Sequence, residues 1–351
     1  MRLLFDLAHP AHVHLFRHLI ERVGRESGQT LVAARDKDVT LALLRAFDLP
    51  FVTVSEAGSG SFAGNLRELT LRSVRLLSLA RRFRPDALVG PSASFGLIGR
   101  LIGRPSFVFC EDDAAVVPFF SRVAYPLATH IVTPQCLAYE NHGPKQLTYP
   151  GYHELAYLHP AHFTANPAAL APLGLSPAQP YFVVRLVALR GHHDARAQGL
   201  APELARRLVA LLAQHGRVLI TSESALDPDL ERYRFPLPPE SLHDVLAFAS
   251  LCVGDSQTLI AEAAVLGVPN LRCNSFVGRL AYLEELEKKW GLTRGIAVKE
   301  ADTLIAVATE WLTRLPELKR EMQQRRGRML AASVDVSDWQ WRMLRERLGP
   351  A

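Results

Sequence analysis

A repeated alternation constrains this 351-residue chain more than any other feature. Short apolar runs are each followed by a longer stretch whose apolar positions recur three and four apart. Runs at 2–8, 30–34, 51–54, 87–90, 105–110 and 130–133 are separated by helical patterns at 12–24, 38–47, 65–83, 93–102 and 114–125. A Pro- and Ala-rich connection follows at 159–180, and the alternation then resumes. Its strands are expected at 181–187, 217–221, 251–253, 268–273 and 295–298, and its helices at 200–214, 241–249, 257–266, 279–288 and 301–315. Strands alternating with helices predict mostly parallel sheets covered on both faces. The chain therefore reads as α/β, with two doubly wound Rossmann-like domains at 1–158 and 159–316 and a helical tail at 317–351. Trp339, Trp341, Met343 and Leu344 make the tail too apolar for solvent, so it is expected to pack back on the N-terminal domain. In open α/β sheets ligands sit beyond the carboxyl ends of the strands, at a switch point. With two such domains facing each other, the central cleft is the expected site.

Composition narrows the function classes. With 48% hydrophobic and 21% charged residues the chain is that of a globular protein. A net charge of +5 suits phosphorylated ligands or an anionic membrane surface, while the lack of long Lys/Arg runs argues against nucleic acid. Cys110, Cys136, Cys252 and Cys273 show no metal-ligand spacing and are expected as reduced thiols. The first residues start a strand, and their apolar run is too short for a signal peptide or a membrane span, so a cytoplasmic location is expected.

The stretch Val253-Gly254-Asp255-Ser256-Gln257-Thr258, running on to Leu266 and then Gly267-Val268-Pro269, reads as strand, tight loop, helix and turn. A helix whose first turn holds small polar residues offers free N–H groups and a positive dipole end to an anion. An ordinary N-capped helix fits the same residues. Arg185, at the end of the run Tyr181-Phe182-Val183-Val184, is costly to bury without an anion, so it pairs with a diphosphate or with an internal carboxylate.

Together with Leu242-His243-Asp244-Val245-Leu246 and Glu262, this order of parts resembles the donor domain of GT-B nucleotide-sugar enzymes. It is most similar to the non-hydrolysing UDP-N-acetylglucosamine 2-epimerases and their glycosyltransferase relatives. His9-Pro10-Ala11-His12-Val13-His14, Ala34-Arg35-Asp36, Gly151-Tyr152-His153-Glu154 and Tyr181 to Arg185 resemble, in the same order, a GT-B-like prokaryotic family known mainly as a domain of unknown function. The resemblance implies a GT-B-like fold. It implies diphosphate contacts from Gly254, Ser256, Gln257 and Thr258, a ribose or sugar contact from Glu262, and positions beside the base for Ser222, Glu223 and His243. The chain departs from that family where a glycine-rich loop is common and Asp255-Ser256-Gln257 stands instead. Phosphate contact would then need hydroxyl and side-chain groups, with Asp255 turned away to cap the helix or bind a hydroxyl.

His9, His12 and His14 crowd the end of the first strand at spacings that do not share one helix face, which argues against a metal site. His12 and His9 are candidate bases for an acceptor hydroxyl, and His14 reads as core. Asp112, within Glu111-Asp112-Asp113, is a further candidate base or else part of an acidic helix start. The loop Gly58-Ser59-Gly60-Ser61 lets backbone approach a ligand but lacks the Lys of a P-loop, and Arg190, His192 and His193 fit solvated surface. Asp227-Pro228-Asp229 superficially offers a DxD metal motif in a Pro-containing loop, and metal dependence is not expected. The helix at 65–84 sets Leu66, Leu69, Leu76, Leu77, Ala80 and Phe83 against Arg67, Arg72, Arg75, Arg81, Arg82 and Arg84. That pattern fits a sheet-packed helix with a solvated basic face, or peripheral contact with the inner face of a membrane.

The expectation is a metal-independent GT-B glycosyltransferase without a cofactor. It would move a sugar from a nucleotide-sugar, UDP-linked, to a carbohydrate or lipid-linked acceptor in surface-polysaccharide or glycolipid synthesis. The alternatives are a UDP-sugar 2-epimerase and a catalytically silent nucleotide-sugar-binding assembly protein.

Overall fold

The protein, seen in a computed structural model, is described over residues 1–56, 62–187, 198–222 and 225–349. It divides into two compact units, Met1–His162 with Ser333–Ala351, and Phe163–Ala332.

In the first unit the elements run β1 (Arg2–Leu7), α1 (Pro10–Arg25), β2 (Gln29–Asp36), α2 (Thr40–Ala46), β3 (Phe51–Glu56), α3 (Phe62–Phe83), β4 (Ala87–Gly90), α4 (Phe95–Ile102), β5 (Ser106–Phe109), α5 (Pro118–Ala124), β6 (His130–Pro134) and β7 (Gln146–Tyr149). The seven strands are parallel in the order β3-β2-β1-β4-β5-β6-β7. Alternating strand residues serve opposite faces. Leu4, Leu88, Val108 and Ile131 join one core with Leu76 and Ala80 of α3, Phe95 and Ile98 of α4 and Ala124 of α5. On the other face Phe16 of α1 packs 5.5 Å from Phe5 and 5.0 Å from Phe109, ring centre to ring centre. β7 was not among the expected strands, because Gln146-Leu147-Thr148-Tyr149 is too short and polar to stand out from a loop. Pairing with β6 makes it the sheet edge.

The second unit repeats the plan. It runs β8 (Tyr181–Leu186), α6 (Pro202–Ala213), β9 (Arg217–Ser222), α7 (Pro228–Glu231), α8 (Leu242–Phe248), β10 (Leu251–Gly254), α9 (Gln257–Val265), β11 (Asn270–Cys273), α10 (Ala281–Lys288), β12 (Arg294–Ile296), α11 (Ala301–Thr313) and α12 (Leu315–Ala331). Its five parallel strands are ordered β12-β11-β10-β8-β9. Among the described residues, no helix is long and apolar enough to cross a membrane.

The tail expected as one element is two helices in different units. α12 stays in the second unit, where Gln323 donates to the Leu266 and Gly267 carbonyls and Arg326 to that of Val265. The last helix, α13 (Val336–Leu348), belongs to the first unit. Asp338 of α13 lies 2.8 Å from Arg22 of α1, and the Arg22 guanidinium sits over the Trp341 ring.

The basic face expected on α3 also needs correction. Arg72 is buried and paired with Asp6, itself only 1% exposed, while Arg75 donates to the Val54 carbonyl. A guanidinium on a long apolar stem reaches from a helix flank to the sheet beneath, so helical spacing alone misplaces it. Removing one partner of a buried ion pair strands the other charge. Arg72→Ala is expected to destabilise the first unit by about 3–5 kcal/mol in urea unfolding, against under about 1 kcal/mol for the exposed Arg81→Ala.

Candidate functional site

The strand order of the second unit reverses between β8 and β10, and the register sets Gly254 opposite Arg185 and Arg185 opposite Thr221. Gly254 is needed for this close approach, since a Cβ there would lie 2.6 Å from the Arg185 carbonyl oxygen. The Arg185 guanidinium donates to Thr221 Oγ1 at 2.8 Å, which aims it along the carboxyl edge of the sheet. Ser222 ends β9 beside it.

Among the described residues, Asp255 neither caps a helix nor meets a hydroxyl. Its carboxylate accepts the backbone N–H groups of Val187 and Leu200, at 2.8 and 3.2 Å, while Asn274 donates to its carbonyl. Burial pushes the Asp255 carboxyl up to about 6, against the lowering effect of those N–H donors. Ser256 is the N-cap of α9, its hydroxyl accepting from the Leu259 N–H at 3.3 Å. Gln257 and Thr258, half-exposed in the first turn, have N–H groups with no intrahelical acceptor. One turn on, Glu262 is buried and engaged by His243 of α8, Oε1 to Nε2 at 2.9 Å. The two residues expected as separate nucleotide contacts thus form one internal pair. Asp227 and Asp229, the DxD-like carboxylates, both bind Arg206.

The first unit has its reversal between β1 and β4. Gly90 lies against the Asp6 backbone with φ +144°, a conformation that favours glycine. His9 caps α1 by accepting from the Ala11 N–H, and His14 stacks on Tyr157 as a core residue. His12 Nδ1 accepts the Ala8 N–H at 3.2 Å, so the neutral ring carries its proton on Nε2 and offers a donor there. Burial, with His9 and Arg72 adding to it, holds His12 well below the ordinary imidazole range.

Beyond β5 stand Glu111 and Asp112, and beyond β7 stands His153. His153 Nδ1 lies 3.1 Å from Glu111 Oε2, an ion-pair distance without hydrogen-bond alignment. His153 Nε2 is buried and, among the described residues, has no hydrogen-bond partner. Burial lowers His153 to about 4, opposed by Glu154 and Asp112. Burial and then Glu111 push Asp112 up to about 7, opposed by His153. Burial thus acts in opposite senses on the two groups, making Asp112 hold its proton more tightly than an ordinary aspartate and His153 less tightly than an ordinary imidazole.

Parallel strands thus gather Arg185, Ser222, Gly254, Ser256, Gln257 and Thr258 at the carboxyl edge of one sheet, and His9, His12 and Asp112 at that of the other. The sequence assigns no chemistry to His153, and from the triplet that supplies candidate bases it singles out Asp112 over Glu111. His153 follows a strand that the sequence concealed, and Glu111 was passed over for its neighbour. Glu223, the 58–61 loop, Arg190, His192 and His193 lie outside the described residues.

No protein-family model matches the chain, and no curated protein matches it in sequence. Among solved structures it is similar to UDP-GlcNAc 2-epimerase from Neisseria meningitidis bound to UDP-GlcNAc, at 13% identity and TM-score 0.70, over 99% of this chain and 100% of that one. It is likewise similar to MnaA of S. aureus in complex with UDP, at 12% identity and TM-score 0.68, over 99% and 96%. The spinosyn forosaminyltransferase SpnP matches at 17% identity and TM-score 0.64, over 99% of both chains. The chain has the GT-B-like fold shared by these epimerases and glycosyltransferases, with two parallel-sheet Rossmann-like units.

A folded-state value above the ordinary aspartate range makes the native state hold the Asp255 proton more tightly than the unfolded chain does, so ionisation costs stability. The advantage of the wild type over Asp255→Asn in urea unfolding should shrink as pH rises from about 4 to about 6, by up to about 3 kcal/mol, and then level. A constant difference across that window would remove burial as the dominant influence on Asp255.

Proposed function

We propose that the protein is a metal-independent glycosyltransferase that takes a sugar from a nucleotide-sugar, UDP-linked, and gives it to a carbohydrate or lipid-linked hydroxyl acceptor. The observation that carries this reading is the half-exposed first turn of α9, Ser256 to Thr258, beside Arg185 at the strand reversal of the second unit. Free amides, a helix dipole and a guanidinium suit a diphosphate whose charge grows as it leaves. A fold shared with UDP-bound enzymes supports the same assignment.

In this reading the first unit supplies the proton chemistry. His153 Nε2 takes the proton of the acceptor hydroxyl, and the acceptor oxygen attacks the anomeric carbon. The bond from that carbon to the diphosphate breaks, and the electron pair leaves with the phosphate. The Glu111 carboxylate faces the imidazolium that forms. His12, with its proton on Nε2, acts as a hydrogen-bond donor to the acceptor. Asp112, raised by burial, keeps its proton and serves as a hydrogen-bond donor in the site, while the proton taken by His153 passes to solvent once the products leave.

A second reading has support in the same cluster. A carboxyl that holds its proton near neutrality beside an imidazole that does not is an acid and a base together, as a 2-epimerase requires. Incubation with a panel of nucleotide-sugars separates the two. UDP release that requires an added acceptor supports transfer, whereas a C2 epimer formed without acceptor overturns it. Saturable binding with neither product points to the silent assembly role.

Two further outcomes are expected. Arg185→Ala and Thr258→Ala should each weaken UDP binding about tenfold or more in calorimetry, while Arg206→Ala leaves it unchanged. His153→Gln should lower kcat at least about 100-fold with KM little changed, and Asp112→Asn should remove the alkaline limb of kcat/KM near pH 7.

A further inference from the structure

Most of the large apolar side chains that the protein exposes lie on three consecutive helices of one unit. Leu66, Leu71 and Val74 of α3, Leu97 and Leu101 of α4, and Phe119 and Val123 of α5 are 38–62% exposed. These helices are neighbours on one sheet face, since they share a core with Leu4, Leu88, Val108 and Ile131. Each buries an inner stripe, and the outward residues Leu71 and Val74, or Leu97 and Leu101, recur at helical spacing. Scattered apolar residues need no explanation, but a contiguous set on adjoining helices does.

The charges on this face have one sign. α4 and α5 contain no acidic residue, and the only one on α3, Glu68, turns inward to Arg35 and Ser55. Arg67, Arg81 and Arg82 of α3 and Arg122 of α5 are exposed, and among the described residues none has a carboxylate partner. Arg100 is exposed too, with its guanidinium on the Pro126 and Leu127 carbonyls.

We propose that the outer face of α3, α4 and α5 docks on an anionic lipid bilayer. Its apolar side chains would enter the headgroup boundary and its arginines would meet lipid phosphates. A second copy of the chain is a poor occupant, because a two-fold contact would press this cationic face against itself. A nucleic acid would satisfy the arginines and leave the leucines in water. Docking does not depend on the catalytic assignment, although a lipid-linked acceptor would lie in the surface so approached.

The test is co-sedimentation of the full chain with vesicles of phosphatidylcholine alone or with about one third phosphatidylglycerol. Binding about tenfold stronger to the anionic vesicles, and weakened by about 0.5 M salt, is expected. A Leu71→Ser, Val74→Ser, Leu101→Ser variant and an Arg81→Glu, Arg82→Glu variant should each lose about tenfold in vesicle affinity with unchanged thermal unfolding. Both should turn over a soluble acceptor as the wild type does, so a failure here is distinct from a failure of the proposed reaction. Absence of vesicle binding by the wild type overturns the proposal, as does equal binding by both variants. A dimer in light scattering that these substitutions dissolve would assign the face to a second copy instead.

Discussion

A carboxylate removed from water must find its hydrogen bonds where it stands, and each sheet of this protein has one such group at its point of strand reversal. In the second unit it is Asp255, which draws the N–H groups of Val187 and Leu200 onto one side chain and so fixes both ends of the connection between β8 and α6. In the first it is Asp6, satisfied by Arg72 from α3. Both acids lie beneath the carboxyl edge where ligands of such sheets bind, and neither is available to a ligand.

The fold was legible because apolar periodicity is a local signal. Eleven of the twelve described strands and most of the helices could be placed from runs such as Leu3-Leu4-Phe5 and from spacings such as those of Val13, Phe16 and Ile20, within a residue or two. β7 escaped because an edge strand with one well-buried residue carries little pattern. The site was legible only in its addresses. Residues at the ends of strands were correctly gathered at two sheet edges, yet what each side chain does depends on partners distant in sequence. Glu262 and His243 were singled out separately, and nothing local indicates that they bind each other across 19 positions. His12 reads as a base from its place at the helix start, and nothing local indicates that the Ala8 N–H occupies its Nδ1. His153, whose Nε2 has no hydrogen-bond partner among the described residues, stood after an unseen strand.

Electrostatics divides labour between the units in a way that composition cannot. A net charge of +5 says only that cations prevail, whereas the structure shows where they are spent. Arg72 and Arg272 serve carboxylates at buried positions, Arg206 pairs with Asp227 and Asp229 at the surface, Arg185 is braced by Thr221, and a separate set on α3 and α5 remains turned to solvent. Identical side chains thus act as structural ties or as surface charge, according to what burial leaves beside them.

The packing of α13 against α1 gives the chain an order of assembly. The Gln340 amide and the Leu15 carbonyl that meet there are 325 positions apart, and the whole second unit lies between them. On a ribosome the second unit can complete its sheet before the first has received its last helix. Until then the apolar side of α1 that Trp341 and Leu344 will cover faces solvent or a chaperone, so a helix made before the second unit is sealed only after it.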